Sequence, residues 1–492
     1  MNTPLPAALA SWPEAPRVRP LNAEAVRPDG RYVLCWLQQA LRANDNPVID
    51  AAIRLGNALG LPVLVYQGVR EYYPYASDRL HSFMLAAGRD LARDCAARGI
   101  ACVQHVDRAE VREKGLVYRL AADSAAVLVE DQPTFVARWQ SERVAARADR
   151  AVLAINAACL VPPAALGDGI GSTSAFRRRH EPLRAEWQHA TAEVPAVACY
   201  NGPLPFVPDD LVAMSDADLD ALVAAADIDH SVPPSTLFVG GRTGALEGLE
   251  RLVGVVLPSY AGTRNDATRP KGASMLSPYL HFGVVGPREV MDAVDAAKAP
   301  AACKDKFADE LLSWREWFHC RARTLAAPER YDRIAGWARE TLEAHAGDRR
   351  WDGETLADIL HGTTRDETFN ACQRQFLIDG WMHNNLRMYW GKRIIAMTAD
   401  PETAWAVACY LNDRLSLDGR DPSTYGNIAS SFDGGAPARE EEPVYGKVAT
   451  RSDGSTRHRP NGPQWLNEAA NRPAPRPTVP DAVPTERYVG TA

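Results

Sequence analysis

The residue types best able to do chemistry gather in four stretches of this 492-residue chain. In DELLSWREWF (309–318), helical spacing sets Glu310, Trp314 and Trp317 at i, i+4 and i+7, so one carboxyl group shares a face with two indoles. Burial against aromatic rings disfavours a carboxylate, and Glu310 is therefore expected to be neutral near pH 7 and able to donate a proton or hydrogen bond. The packing alternative is a tryptophan-rich core face with Glu310 at its wet edge. In YAGTRNDATRPKGASMLSPYLHFG (260–283), Tyr260 and Arg264 precede Gly272, after which Ser274 and Ser277 flank a helix start. Small hydroxyls and free amides there suit a phosphate, with Arg264 as a second charged contact; an ordinary capped helix is the alternative.

The third stretch contains GWMHNNLRMYWGKRII from Gly380 and LNDRLSLDGRDPSTYGN from Leu411. Met382, Leu386, Tyr389 or Trp390, and Ile394 form a helical packing stripe, which leaves Asn384, Arg387 and Met388 on a neighbouring face. A half-buried guanidinium without a carboxylate is costly, so Asp418, in a turn-rich segment, is the expected partner of Arg387, in a site or in a purely structural ion pair. The fourth stretch, LRANDNPVI (41–49), reads as a helix cap: Asp45 or Asn46 at the N-cap and Pro47 in the first turn.

These groups need a scaffold. From Arg31 to about Ala157, short apolar runs alternate with amphipathic stretches, which predicts βαβ units and a parallel sheet. The expected strands are Tyr32 to Leu37, Pro62 to Tyr66, Ala101 to His105, Ala126 to Glu130 and Ala151 to Ile155. No Gly-x-Gly-x-x-Gly follows the first strand, which argues against a nicotinamide dinucleotide there. Beyond Thr243 helical periodicity takes over. The expected organisation is a flexible N-terminal extension (1–30), an α/β Rossmann-like parallel-sheet domain (31–160), an interdomain linker (161–242), an all-α domain (243–450) and a disordered tail (451–492).

Composition narrows the classes. With 46% apolar and 24% charged residues the chain is neither disordered nor fibrous. The longest apolar stretch, Ala151 to Leu166, is broken by Asn156, Pro162 and Pro163 and falls short of the roughly 20 residues of a membrane span. No secretory leader is apparent, so a cytoplasmic protein is expected. Nine scattered cysteines without a Cys-x-x-Cys pair give no zinc spacing, and no metal site is expected. A net charge of -7 repels nucleic acid as a whole, so any contact with DNA requires a local basic patch.

Taken together, the four stretches resemble the photolyase and cryptochrome family in order, from about Tyr32 to Val448. MYWGKRII, YLND, DGRDP and PVYGKV look most like its class II cyclobutane pyrimidine dimer photolyases, whereas GWMHNNLRM is closer to other classes. The resemblance implies FAD held noncovalently in the helical domain and ultraviolet-damaged DNA as partner. It implies that Tyr260, Arg264, Ser274, Met275, Leu276 and Ser277 hold the ribityl and phosphate part, and that Asn384 and Arg387, with Asp418, lie by the isoalloxazine. Glu310 would face the dimer, with Trp314 and Trp381 stacking on the flipped lesion, and Trp390, Trp405 and Tyr410 are candidates for electron supply. Ser423 stands where class II enzymes carry an asparagine beside the flavin nitrogen, and Ser430, Ser431 and Phe432 stand where they carry a lesion-contacting tryptophan. These departures motivate a second expectation, a cryptochrome-like blue-light receptor with weak or no repair. The resemblance leaves the antenna chromophore unassigned, gives no sign of an iron–sulfur cluster on Cys303, Cys320, Cys372 and Cys409, and implies a monomer.

Overall fold

The computed structural model describes residues 3–189, 193–269, 272–325, 327–351, 353–433 and 438–483. Six strands form one sheet in the order β1-β6-β5-β2-β3-β4: β1 (Val18–Pro20), β2 (Tyr32–Trp36), β3 (Val63–Val69), β4 (Ala101–Val106), β5 (Ser124–Glu130) and β6 (Val152–Ile155). All neighbours are parallel except β1, which runs antiparallel to β6. The inner strands are buried on both faces, as a helix-covered parallel sheet demands, which is why they read as unbroken apolar runs. Strand order reverses between β2 and β5, and such a switch point leaves a crevice beyond the carboxyl ends of the strands.

Two expectations are corrected. The N-terminal extension is not flexible. Leu9 and Trp12 are buried, β1 adds an edge strand, and Arg17 donates to the carbonyls of Asn156 (3.1 Å), Cys159 (2.8 Å) and Leu160 (2.7 Å). Its frequent prolines set bends between anchored points, so a composition that reads as a loop is ordered by tertiary contacts. The tail is likewise ordered as far as it is described. The helix Gly462–Asn471 packs Trp465 and Ala469 against the helix Glu367–Asp379, and Arg472 pairs with Asp379. The rest of that expectation, 484–492, lies outside the described residues, as do residues 1 and 2.

The segment expected to be a linker carries its basic cluster on the helix Thr173–His180, where His180 Nε2 lies 2.8 Å from the buried Glu316 carboxylate and Arg177 pairs with Asp309 at 2.7 Å. It thus braces the helical domain. In LRANDNPVI the cap is Asn46, whose side chain accepts from Val48 N with Pro47 at the first position. Arg42 reaches beyond the cap to the carbonyls of Gly283 (2.9 Å) and Ala157 (3.1 Å), joining the two domains. Gly283 has φ of 60°, and a Cβ there would lie 2.5 Å from the Gln39 carbonyl, so only glycine permits this approach.

Candidate active site

A cavity of about 550 Å³ opens in the helical domain. Its walls come from the segments 260–264 and 273–280, the helices around Asp309–Arg315, the helix Asn384–Met397, and the turn and helix 418–430. Every residue assigned to the cofactor or the lesion in the sequence lines it except Leu276, whose side chain is buried in the core; Trp390, Trp405 and Tyr410, the candidates for electron supply, are buried outside its lining. Leu276 can therefore contribute backbone but not side chain, because its side chain packs into the core while Ser274, Met275 and Ser277 line the cavity.

The Arg387–Asp418 pair forms as expected. Nη2 donates to Asp418 Oδ1 at 2.9 Å, and Nη1 lies 3.3 Å from both Asn412 Oδ1 and Thr424 Oγ1. Both partners are buried. Burial works against the charge of Asp418, but Arg387 and hydrogen bonds from Ser416 and Ser277 outweigh it and hold the carboxyl below its ordinary range. Ser277 Oγ also accepts from Trp381 Nε1 at 3.1 Å, which joins the phosphate-type turn to the indole. Met275, in the same turn, has φ of 58°, a left-handed conformation rare for a side-chain-bearing residue. Burial pushes the Tyr260 phenol up to about 12, so it is a hydrogen-bond donor at neutral pH.

Glu310 differs from expectation. It is not a carboxyl sealed among indoles: Oε2 accepts from Arg264 Nη2 at 2.6 Å and Oε1 lies 2.7 Å from Lys306 Nζ. Lys306 was legible as the i−4 partner of Glu310, a pairing the sequence reading passed over. Arg264 is thereby committed to Glu310 and Asn265 rather than free for a phosphate. The segment Asp309–Arg315 is π-helical, and its wider turn breaks the i, i+4, i+7 face. Trp314 stays at the cavity, 38% exposed with the Arg177 guanidinium 5.2 Å from its ring, while Trp317 turns into the core against Phe176.

Beside the cavity lies a cluster that sequence reasoning missed. The Asp421 carboxylate accepts from Ser423 N at 2.8 Å and sits 3.3 Å from His281 Nδ1 and 3.5 Å from His319 Nε2, all three side chains being buried. Burial opposes its charge, yet His319, His281 and Arg315 hold it well below the usual carboxylate range. Burial pushes both imidazoles down, towards the neutral form. A second cavity of about 470 Å³ stands at the switch point of the sheet, between Trp36, Tyr66, Trp139, His281 and Arg420. No motif in the α/β domain announced it.

Asn384, Arg387 and Ser423 line the main cavity, and Asn384 Oδ1, Arg387 Nε and Ser423 Oγ have no hydrogen-bond partner among the described residues. A buried acceptor, donor and hydroxyl left unpaired in a cavity wall call for a ligand with a polar edge, because such groups are otherwise paired. The two domains and this site define a class of protein: an α/β sheet joined to a helical module built to hold a large, polar-edged cofactor.

A family model for DNA photolyase matches residues 33–198. The deoxyribodipyrimidine photo-lyase of Oryza sativa subsp. japonica is 31% identical over 451 residues, covering 88% of this chain and 86% of that protein. The enzyme of the same name from Methanothermobacter thermautotrophicus is 28% identical and covers 89% and 94%. Among solved structures, a Synechocystis cryptochrome aligns with a TM-score of 0.63 at 16% identity, covering 89% of this chain and 88% of that one. A bacterial class III photolyase from Agrobacterium tumefaciens aligns with a TM-score of 0.61 at 16% identity, covering 89% and 86%. The chain belongs to the photolyase/cryptochrome family. FAD is the cofactor of that family, and the unpaired Asn384, Arg387 and Ser423 groups fit its polar ring edge.

Proposed function

We propose that this protein repairs cyclobutane pyrimidine dimers in DNA with light. The observation that carries the reading is the convergence, in one open cavity, of Glu310 with its two cations, the indoles of Trp314 and Trp381, and the buried Arg387–Asp418 pair. When bound and reduced, FAD supplies the photoexcited electron that opens the cyclobutane ring. Tyr260, the backbone of Ser274 to Ser277 and the Ser277 hydroxyl are assigned to the ribityl and phosphate part, and Asn384, Arg387 and Ser423 to the ring. Asp418 pairs with Arg387 and aims it, so the positive group by the ring does not drift.

At the mouth, Arg177, Arg264 and Lys306 stand against Asp309 and Glu310. Three cations facing two carboxylates leave a locally positive entrance on a chain of net charge -7. Glu310 holds the N–H groups of Arg264 and Lys306 in place for the carbonyl oxygens of an extruded lesion. Trp314 and Trp381 offer the apolar faces on which its unstacked rings rest, and a damaged base pair is the least costly to unstack.

The test is a dimer-containing oligonucleotide illuminated with blue light in the presence of the flavin-loaded, chemically reduced protein. Restoration of intact pyrimidines is expected. Glu310→Gln frees two cations at the mouth, so DNA affinity is maintained or raised while the repair yield falls about tenfold or more. Dimers left intact by the wild-type protein reject the reading. If light changes the shape of the protein while damaged and undamaged DNA bind alike, the receptor alternative motivated by Ser423 takes its place.

A further inference from the structure

The basic cluster of the interdomain segment faces the helix that carries Trp314. Arg177, His180 and Arg184 stand at i, i+3 and i+7, and all three reach the stretch 309–316. Arg177 Nη2 donates to Asp309 Oδ1 at 2.7 Å, His180 Nε2 lies 2.8 Å from Glu316 Oε2, and Arg184 Nη2 donates to Ser313 Oγ at 2.7 Å. Glu316 in turn accepts from Leu160 N at 2.6 Å, and the buried Phe176 ring packs 5.7 Å from that of Trp317. The helix Thr173–His180 is thereby locked along the π-helical segment Asp309–Arg315.

Trp314 is the exposed residue of that segment, its nearest ring being Phe318 at 6.4 Å and a tilt of 36°; both line the main cavity. The Arg177 guanidinium carbon lies 5.2 Å from the centroid of the Trp314 indole, within the reach of a cation–π contact. Trp314 lines the cavity and Arg177 does not, so the guanidinium covers a part of the indole that the cavity leaves unused. The charge of Arg177 is already met by Asp309. A guanidinium held between a carboxylate and a ring is fixed in place and is not free to follow a phosphate. An exposed indole that is ordered only when a base stacks on it weakens binding, and ordering it beforehand removes that cost.

We infer that Arg177 is a positioning residue for lesion recognition: its guanidinium backs the Trp314 indole and sets the plane of that ring before an extruded dimer stacks on the cavity side. The inference rests on the repair reading above and deepens it, since it assigns part of the preference for damaged DNA to a residue that touches neither lesion nor cofactor. Undamaged duplex places no extruded base on Trp314 and so does not draw on the clamp.

The experiment is fluorescence anisotropy in the dark with the full-length, FAD-loaded protein, a duplex carrying one thymine dimer and the same duplex undamaged, over a series of salt concentrations. Arg177→Met keeps the stem and removes the guanidinium, and Asp309 retains Lys306 at 3.5 Å, so FAD content should stay as in wild type. Affinity for the dimer should fall about three- to tenfold, the gain from ordering one large side chain in advance, while that for undamaged duplex changes less than about twofold. The slope of dimer affinity against salt should stay as in wild type. Arg177→Lys keeps the ion pair but lacks the flat face, and should lose dimer preference in the same sense to a smaller extent. In a Trp314→Ala background, Arg177→Met should cost nothing further, because the ring it backs is gone. A wild-type protein that binds both duplexes alike rejects the repair reading and this inference with it. A wild-type preference that both Arg177 variants leave intact rejects this inference alone. It is equally overturned by an equal loss on both duplexes with a salt slope lowered by about one, the mark of a phosphate contact, or by an undiminished loss in the Trp314→Ala background.

Discussion

Asp418→Asn separates a structural ion pair from one that serves a cofactor. Asp418 and Arg387 are both buried, at 7% and 5% exposure, and Asp418 also accepts from Ser416 Oγ. Removing the charge while keeping the shape leaves a buried guanidinium whose remaining contacts, at 3.3 to 3.5 Å, are long and neutral. Breaking a buried pair from one side costs about 3–5 kcal/mol, whereas replacing both members with apolar residues of similar size is often nearly neutral. The retained amide oxygen places Asp418→Asn near the lower end, about 3 kcal/mol, and Arg387→Met/Asp418→Met closer to wild type than the single variant. Chemical denaturation of the FAD-free proteins measures both. FAD content after native purification supplies the second readout: it should fall in the single and the double variant alike, because each lacks the aimed charge. A cost below 1 kcal/mol for Asp418→Asn, or a double variant that keeps its FAD, would refute the reasoning. The pH dependence has a defined sign. The folded-state pKa of Asp418 is depressed, so its contribution is complete above the ordinary carboxylate value of about 4 and is lost as pH falls below it. Asp418→Asn should therefore flatten the acid limb of stability below about pH 4.

Three further outcomes follow from the packing. Trp12→Ala removes a buried indole over which Arg54 lies at 5.6 Å, and should cost about 3–5 kcal/mol, a loss invisible if the N-terminal segment were loose. Gly426→Ala puts a Cβ 2.1 Å from the Phe318 ring, where the helix Pro422–Asp433 meets the helix Glu316–Thr324, so about 1–3 kcal/mol of overpacking strain should appear in denaturation midpoints. His383 Nε2 donates to the Arg264 carbonyl and Nδ1 accepts from Asn385 N, an arrangement only the neutral ring can make. Burial pushes its pKa down to about 4, so the unfolded chain takes up a proton below about pH 6.5 before the folded one does, and stability falls between pH 6.5 and 4. His383→Asn should reduce that slope by up to about 1.4 kcal/mol per pH unit, and an unchanged slope in acid titration contradicts the assignment.

Much of the scaffold was legible because its signals are local. The five parallel strands are apolar runs bounded by helical periodicity, and each forms within a few residues of its expected bounds. Asn46 and Pro47 cap as residue type alone dictates. Arg387 and Asp418 were paired across 31 positions on an energetic argument, because a buried guanidinium leaves few alternatives. What escaped is what depends on tertiary partners. The prolines of the first thirty residues carry no sign that Arg17 will find three carbonyls more than a hundred positions away. The face of Glu310, Trp314 and Trp317 was drawn on an α-helix, and a π-helical turn undid it. Asp421, His281 and His319 come from three separate segments, and no spacing rule connects them.

The residue that ties the sheet domain to the site shows why fold and chemistry are hard to separate here. Arg79, the second residue of the helix Asp78–Ala97, is 1% exposed and donates to the carbonyls of Phe376 (2.7 Å), Leu377 (2.6 Å) and Leu415 (2.6 Å). All three lie in the last turns of the helices Glu367–Asp379 and Pro401–Leu415, where carbonyls run out of intrahelical donors; Phe376 O also accepts from the cap Gly380 N at 3.0 Å. Gly380, at φ of 66°, ends the first helix directly over the Arg79 side chain, where any Cβ would lie 2.9 Å from Cδ. Trp381 follows that stop at once, and Asp418 follows the other by three residues. One guanidinium from the α/β domain thus fixes where two helices end, and so where an indole and a carboxylate of the cavity begin. A positive charge among carbonyls at a helix C-terminus is favourable in itself, and Asp379 nearby adds to it, which lets the clamp hold the site.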